Sequence, residues 1–104
     1  MIFQHTHELV MAGRKTQTRR IIRSDVPPCK VGASIAVQPG RGMKAVGRIV
    51  VTEVYPDLVG GMTYDDARAE GFAGLEDFVE TWKQMHGEFE PDTEVWVIKF
   101  RLAE

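Results

Sequence analysis

Cationic and hydroxyl side chains are concentrated in residues 13–20, which read Gly-Arg-Lys-Thr-Gln-Thr-Arg-Arg. Between Arg14 and Arg23 there are five Lys/Arg residues. Such a cluster suits phosphate binding, through charge and through the paired hydrogen bonds of guanidinium groups. A loop can also carry charge only because it is exposed, so composition alone leaves both interpretations open.

The spacing of these residues indicates which of their side chains can lie together on one face of a strand. Residues 18–23 are predicted to form a strand, in which alternate side chains share a face. Thr18 and Arg20 then point to one side, where Lys15 can join them from the preceding loop. We therefore expect Lys15, Thr18 and Arg20 to converge on one cleft, with Arg19 and Arg23 on the outside.

A second polar group surrounds the turn Pro-Gly-Arg-Gly at residues 39–42. Gln38, Arg41 and the nearby Lys44 could contact a phosphate or the edge of a base, or could simply keep the turn solvated.

His5 and His7 would share a strand face without a third ligand, so we predict no metal site and no cofactor.

Length and composition limit the architecture. The 104 residues are 43% hydrophobic and 27% charged, which is typical of a folded globular chain and predicts one domain over residues 1–104. The single cysteine, Cys29, can form no internal disulfide and is expected to be inert. No apolar run approaches the ~20 residues of a membrane span, so we expect a cytoplasmic protein without membrane contact.

The two halves of the chain differ in charge. Residues 1–52 carry nine Lys/Arg against two Asp/Glu, and residues 53–104 carry four against thirteen. A basic half can present a positive face to nucleic acid even in a chain whose net charge is −2. The alternative is that both blocks are ordinary solvated surface.

Hydrophobic periodicity predicts the helices and strands. The expected order is a helix at 7–12, strands at 18–23, 31–38 and 44–55 (curved at Gly47), helices at 63–70 and 75–86, and a strand at 94–102. Thr63 and Asp66 form a variant of the capping box at the start of the second helix. Gly13, Gly71 and Gly87 are predicted to end the three helices.

The expected core follows from the same patterns. The stripe on the third helix comprises Leu75, Phe78, Trp82 and Met85. The inward positions of the other elements are Val31, Ala33, Ile35 and Val37 on one strand and Trp96, Ile98, Phe100 and Leu102 on the last. This arrangement predicts an α+β domain, with a small curved sheet or barrel and helices packed over one opening.

The motif Gly13-x-Lys15-x-x-Thr18-x-Arg20 resembles the Gly-x-Lys-x-x-Thr/Glu-x-Arg pattern of ASCH domains. Three further segments, at residues 31–41, 67–72 and 95–100, resemble later parts of that family in the same order. The resemblance implies the PUA-like small β-barrel of the ASCH fold, which is linked to RNA and to modified bases.

Residues 12–18, Ala-Gly-Arg-Lys-Thr-Gln-Thr, are also similar to small bacterial amidohydrolases that act on N4-acetylcytidine. The resemblance implies Lys15 as proton acceptor, Thr18 as nucleophile and Glu70 as proton donor. Gln17 and Arg19 stand where those enzymes have isoleucine, which affects the expected substrate more than the expected site.

Three functions follow as expectations. The first is hydrolysis of an N4-acylated cytidine in a basic cleft for RNA or a modified nucleoside, where Arg14, Arg19, Arg20, Arg23, Gln38, Arg41 and Lys44 would bind the ligand. The second is a noncatalytic RNA-binding module that uses the same cleft. The third is a metal-dependent single-strand ribonuclease, which ranks lower because no acidic cluster lies near the motif.

Overall fold

The computed structural model describes residues 1–103, and the predicted order of helices and strands is confirmed. The elements are α1 (His7–Met11), β1 (Gln17–Ile21), β2 (Ser34–Val37), β3 (Gly47–Leu58), a 3-10 turn (Val59–Gly61), α2 (Tyr64–Ala69), α3 (Leu75–His86) and β4 (Glu94–Leu102). Glu104, the last residue of the predicted domain, lies outside the described residues. The α+β class is confirmed.

The strands form one antiparallel sheet in the order β1-β4-β3-β2. Within residues 1–103, β1 and β2 are its two edges and do not pair with each other, so of the two expected forms, a curved sheet or a barrel, the structure has the open sheet. The edge strands have only five and four residues, and β4 and β3 lie between them. The edge of β2 receives instead a short parallel bridge from Ile2 to Gln38.

The long strand β3 bends at a different place from the one predicted. The pairing of β3 with β4 shifts between Val51 and Glu53, which is the mark of a β-bulge and of locally increased twist. Gly47, where curvature was expected, is the first residue of the strand. Pro56 is tolerated further along because β2 has ended there and leaves that stretch of β3 as an edge.

Hydrophobic clusters cover both faces of the sheet. Helices α2 and α3 pack on one face over a cluster formed by Val59, Ala67, Phe78, Trp82, Val95 and Val97. Helix α1 and the N-terminal segment pack on the other face over Phe3, Val10, Val37, Ile49 and Phe100. Because β4 is central, it is buried on both faces, and its side chains do not alternate simply between inside and outside.

The predicted core of β4 is therefore half right. Ile98 and Phe100 are buried as expected, but Trp96 and Leu102 are only half-buried. The two valines at positions 95 and 97, on the opposite face, are fully buried beneath the helices. Both faces of a central strand are buried, so counting only one set of alternate residues underestimates how many of its side chains belong to the core.

Local capping explains where the later helices begin and end. The Thr63 hydroxyl accepts from the Asp66 N–H at 3.1 Å, and the Asp66 carboxylate accepts from the Thr63 N–H at 3.0 Å, so the predicted capping box is confirmed. Gly87 ends α3 with a φ of +89°, as predicted. On α3 itself Phe78 and Trp82 are buried.

Three side chains predicted to lie in the core are exposed. Leu75 and Met85 are 40% and 70% exposed, because they sit at the two ends of α3. Val31 is 65% exposed, because the chain turns at Gly32, with φ +89°, and β2 starts only at Ser34.

No helix in residues 1–103 has the length and apolar character needed to span a membrane.

Candidate active site

A cleft of about 850 Å³ runs along β1, between the N-terminal segment on one side and α2 and α3 on the other. Its walls include the three side chains that the resemblance singles out as catalytic, Lys15, Thr18 and Glu70. All three are nearly completely buried, with exposures of 5%, 5% and 4%. The structure thus brings together residues from a loop, a strand and the end of a helix.

Lys15 and Glu70 form a buried ion pair. The Lys15 ammonium donates to the Glu70 carbonyl oxygen at 2.8 Å and lies 3.4 Å from Glu70 Oε1. Gly13, with φ +74°, ends α1 and turns the chain so that Lys15 enters the cleft. Gly71, with φ +102°, ends the turn after α2, and only ~2.9 Å would separate an added Cβ there from Leu9.

The surroundings of Lys15 lower the pKa of its ammonium group. Desolvation by burial lowers the pKa of Lys15 and outweighs the opposing effect of the Glu70 carboxylate, while the charges of Arg20 and Arg19 lower it further. A lysine whose pKa falls can act as a general base, which an exposed lysine at neutral pH cannot.

We predicted that Arg19 points outward, but in the structure it points into the cleft. It is 7% exposed, and its guanidinium donates to Glu70 Oε2 at 3.0 Å and to the Gln17 side-chain oxygen at 2.5 Å. The alternation itself was predicted correctly, since Arg19 lies on the face opposite Thr18. The error was to assign that face to solvent, whereas α2 and α3 cover it.

Asp66 extends this network and was missed as a site residue. Its carboxylate lies 3.5 Å from Arg19 and accepts from the Gln17 amide at 3.4 Å, while it also caps α2. Burial opposes the charged form of Asp66, but hydrogen bonds from Thr63 and the Arg19 charge outweigh burial and lower the pKa of this carboxyl. The sequence signal was present, because Asp66 lies one helical turn before Glu70 and shares its side of α2.

Thr18 and Arg20 approach from the other face of β1, as predicted. Arg20 donates to the Ile2 carbonyl oxygen at 2.8 Å and its guanidinium carbon lies 5.5 Å from the centre of the Phe3 ring. Within residues 1–103, no carboxylate lies within 4.0 Å of Arg20. Burial lowers the pKa of this guanidinium, partly offset by the Glu70 charge. Arg20 is thus a desolvated cation with capacity to bind a ligand.

Aromatic side chains form the opposite wall of the cleft. Phe72, Phe78, Trp82 and His86 contribute to it. The rings of Trp82 and His86 lie 4.3 Å apart, and Phe72 lies 5.9 Å from the Lys15 ammonium. Trp82 packs in the core as predicted and is only 5% exposed, so the half-buried Phe72 is the ring of this wall that offers flat apolar surface to a ligand.

Not every predicted binding residue reaches the cleft. Arg23 lines its outer part, but Gln38, Arg41 and Lys44 lie on the turn between β2 and β3 and do not line it, which corrects the expectation that all would use one cleft. Arg14 lines a separate depression of about 450 Å³ together with Arg68. A binding role for these residues stays a prediction.

Residues 1–103 contain no group of three histidine, cysteine or carboxylate side chains placed to hold a metal ion. His5 lines the cleft with a φ of +68°, and His7 is half-buried nearby in α1.

Solved structures of two ASCH proteins and of one protein described by another family model share this architecture. An ASCH domain from Lactobacillus crispatus JV V101 matches with a TM-score of 0.71 at 19% identity, over 92% of this chain and 69% of that chain. A protein from Enterococcus faecalis V583, described by the family model DUF984, matches with a TM-score of 0.68 at 22% identity, over 96% and 68%. A mutant of ZmASCH from Zymomonas mobilis matches with a TM-score of 0.67 at 16% identity, over 97% and 65%.

At these identities the similarity establishes the fold. The fold of ASCH-domain structures, which four sequence motifs predicted, is therefore confirmed for this chain, with an open sheet. Almost the whole chain matches about two thirds of each of these structures. No protein-family model matches the sequence, and no curated protein matches it.

Proposed function

We propose that this protein is an amidohydrolase that cleaves an acyl group from the exocyclic nitrogen of a cytidine-type nucleoside. Lys15 is the base, Thr18 the nucleophile and Glu70 the proton donor. The observation that carries the proposal is the buried Lys15–Glu70 pair, which lies in the same cleft as the buried hydroxyl residue Thr18.

In the first step, the Thr18 hydroxyl attacks the acyl carbonyl carbon. A threonine hydroxyl needs a base to remove its proton, and Lys15 can do so because burial lowers the pKa of its ammonium. The carbonyl oxygen becomes an oxyanion, and Arg20, a cation without a carboxylate partner in the described chain, is the group in the cleft suited to stabilise it.

In the second step, the bond between the acyl carbon and the exocyclic nitrogen breaks. The proton taken by Lys15 passes to Glu70 Oε1, 3.4 Å away, and from there to the leaving nitrogen. Cytidine departs as a neutral amine, and the acyl group stays on Thr18 as an ester. Lys15 then takes a proton from water, and the resulting hydroxide attacks the carbonyl carbon of this ester. The bond from that carbon to the Thr18 oxygen breaks, the oxygen takes the proton back from Lys15, and the acyl group leaves as a carboxylic acid.

The size and lining of the cleft also suit such a ligand. Its volume of about 850 Å³ falls in the range of about 300–1,000 Å³ that is usual for small-molecule sites. The half-buried ring of Phe72 can stack on a base, while the cations lie at the strand.

Turnover of N4-acetylcytidine by the purified protein tests the proposal. We expect release of cytidine, a loss of at least 100-fold in kcat for Lys15→Met and Thr18→Val, and partial activity for Thr18→Ser, which keeps the hydroxyl. Glu80→Gln, on the exposed side of α3, is the matched control and should be unaffected. The rate should rise with pH until the lowered pKa of Lys15 is passed. No release of cytidine from any N4-acylated cytidine would refute the proposal.

A second candidate is a noncatalytic RNA-binding module. It is favoured by Arg23, Arg41 and Lys44, which are exposed and make no ion pair within residues 1–103. Binding to single-stranded RNA should then weaken steeply with salt, because each phosphate contact releases a counterion. Binding that is absent at 50 mM salt would exclude this candidate. The ribonuclease alternative has no comparable support, since no metal-holding cluster lies in the described chain.

A further inference from the structure

Strand β1 is an edge of the sheet, and its outer side has no strand partner in residues 1–103. Its inner side pairs with β4 in antiparallel register, with Thr18 opposite Ile98 and Arg20 opposite Trp96. In an antiparallel edge strand, alternate residues direct both backbone groups to the partner strand, and the residues between them direct both groups outward.

The hydrogen bonds at the two ends of β1 identify which residues face outward. The Phe100 N–H donates to the Thr16 carbonyl at 2.9 Å, and the Ile22 N–H donates to the Glu94 carbonyl at 3.0 Å. The even-numbered residues from 16 to 22 are therefore the ones bonded to β4. Gln17, Arg19 and Ile21 direct their N–H and C=O groups away from the sheet.

The cleft lies over this outward edge. Thr18 and Arg20 line it from one face of β1, and Arg19 and Ile21 line it from the other. A cleft that is lined from both faces of β1 must pass around the open edge of that strand. The outward backbone groups of Arg19 and Ile21 therefore point toward the cleft. No hydrogen bond to a protein group in residues 1–103 occupies them.

We propose that the outward N–H and C=O groups of Arg19 and Ile21 bind the hydrogen-bonding edge of the nucleobase. An N–H donor and a C=O acceptor lie side by side there, which complements the ring-nitrogen acceptor and the exocyclic N–H donor of cytosine. The choice of base rests on the proposed function, but the binding edge does not require catalysis.

A nucleobase fits this edge better than an added peptide strand. Only two outward residues of β1, Arg19 and Ile21, line the cleft, and Gln17 does not. The N–H and C=O groups of two residues are enough to pair with the hydrogen-bonding edge of one base, whereas a stable added strand needs a longer run of backbone pairs. With the base held there, its exocyclic nitrogen is next to the strand that carries Thr18, and the aromatic wall faces its ring.

Amide hydrogen exchange of the 15N-labelled protein, with and without cytidine, tests the proposal residue by residue. In the free protein, the N–H groups of Arg19 and Ile21 should exchange at least tenfold faster than those of Thr18 and Arg20, which are bonded to β4. Saturating cytidine should slow exchange at Arg19 and Ile21 by fivefold or more and leave the other two unchanged. Uniform slowing along β1, or no effect of cytidine at its solubility limit, would overturn the proposal.

A pair of variants separates the backbone group from the side chain. Ile21→Pro removes the outward N–H without breaking a bond to β4, and an edge strand tolerates proline at such a position. Ile21→Ala removes most of the same side chain but keeps the N–H. With thermal unfolding confirming that both fold, Ile21→Pro should bind cytidine about fivefold more weakly than Ile21→Ala, the effect of one hydrogen bond. Equal affinities would overturn a role for this N–H.

The ligand can be altered in the same way. N4,N4-dimethylcytidine lacks the exocyclic N–H and should bind about fivefold more weakly than cytidine. Equal affinity, or protection of Arg19 and Ile21 by a short extended peptide but not by cytidine, would contradict base recognition. These outcomes are independent of turnover, so failure of the base-binding edge can be told apart from failure of the amidohydrolase proposal.

Discussion

Replacing Glu70 by glutamine should destabilise the protein strongly and in a pH-dependent way. The change keeps the shape of the side chain and removes its charge. Glu70 lies 3.4 Å from the Lys15 ammonium and 3.0 Å from the Arg19 guanidinium, and both cations are buried. At an effective dielectric constant of about 20, each contact corresponds to roughly 5 kcal/mol of Coulomb energy before desolvation is considered.

The net cost is smaller than the Coulomb energy. Removing one partner of a buried ion pair typically destabilises a protein by about 3–5 kcal/mol, since it leaves an uncompensated charge. Here Asp66 still contacts Arg19, and Lys15 can lose its proton, so we expect about 3 kcal/mol at pH 6. For a domain of this size, that loss lowers Tm by roughly 12–24 °C.

The pH dependence follows from Lys15. Loss of the Glu70 charge lowers the pKa of Lys15 further, because that carboxylate is what raises it. At pH values between this lowered pKa and the ordinary value of 10.5, Lys15 is protonated in the unfolded chain but has released its proton in the native Glu70→Gln variant. Stability of the variant therefore rises with pH, by up to about 1.4 kcal/mol per pH unit, and does so from a lower pH than in the parent protein.

Urea denaturation at pH 6 and pH 9 measures this effect. The deficit of Glu70→Gln should shrink toward pH 9, and adding Lys15→Met should recover much of the deficit at pH 6. Glu80→Gln, an exposed glutamate outside the cleft, should change stability by less than about 0.5 kcal/mol. A deficit below about 1 kcal/mol at pH 6, or the same deficit at both pH values, would show that the cations do not depend on Glu70.

Two further predictions concern packing and reactivity. Gly60→Ala would place a Cβ 2.7 Å from the backbone oxygen of Pro91, which cannot move away, whereas Gly47→Ala would meet only the flexible end of Met11. Urea denaturation should give a loss of about 1–3 kcal/mol for the first and less than 1 kcal/mol for the second, and the reverse order would be inconsistent with this packing. Burial raises the pKa of the Cys29 thiol above 9.0, so alkylation by iodoacetamide at pH 8 should be slower than in the urea-unfolded chain; an equal rate would contradict the burial.

The helices and turns were predictable because their signals are local. The capping box at Thr63 and the positive φ at Gly13 and Gly87 are each determined by a few neighbouring residues. The limits of α3 were predicted to the residue for the same reason. Tertiary contacts were not needed to place these elements.

The face of a strand that becomes buried could not be predicted in this way. The alternation of Thr18 and Arg19 along β1 was correct, but the choice of the buried face depends on where α2 and α3 pack. Charge suggested solvent for Arg19, whereas its partners Glu70 and Asp66 come from α2 and its C-cap, about fifty residues away. The same reasoning applies to β4, where the central position of the strand, set by pairing with β1 and β3, decides that Val95 and Val97 are buried.

The candidate site was predictable in part because its motif is continuous in sequence. The resemblance implied that Glu70 acts with Lys15 and Thr18, and the structure places Glu70 next to Lys15, but the catalytic roles remain predictions. The sequence offered no sign that Gln17 would join them through Arg19, and for Asp66 the only signal was its position one helical turn before Glu70. Their contribution depends on the three-dimensional contact between β1 and α2.

The distribution of buried polar groups is the strongest general argument that this cleft has a function. The buried polar or charged residues of the described chain are Lys15, Gln17, Thr18, Arg19 and Glu70. All of them belong to one connected region around β1, and none stabilises another part of the core. Buried ion pairs are weak contributors to stability, and apolar side chains of similar size often replace them without loss. A domain of this size has a margin of only a few kcal/mol, so stability alone gives little reason to concentrate its buried charges beside an unoccupied strand edge. Binding and chemistry at that edge do give such a reason, because both require charges that are fixed in place before the ligand arrives.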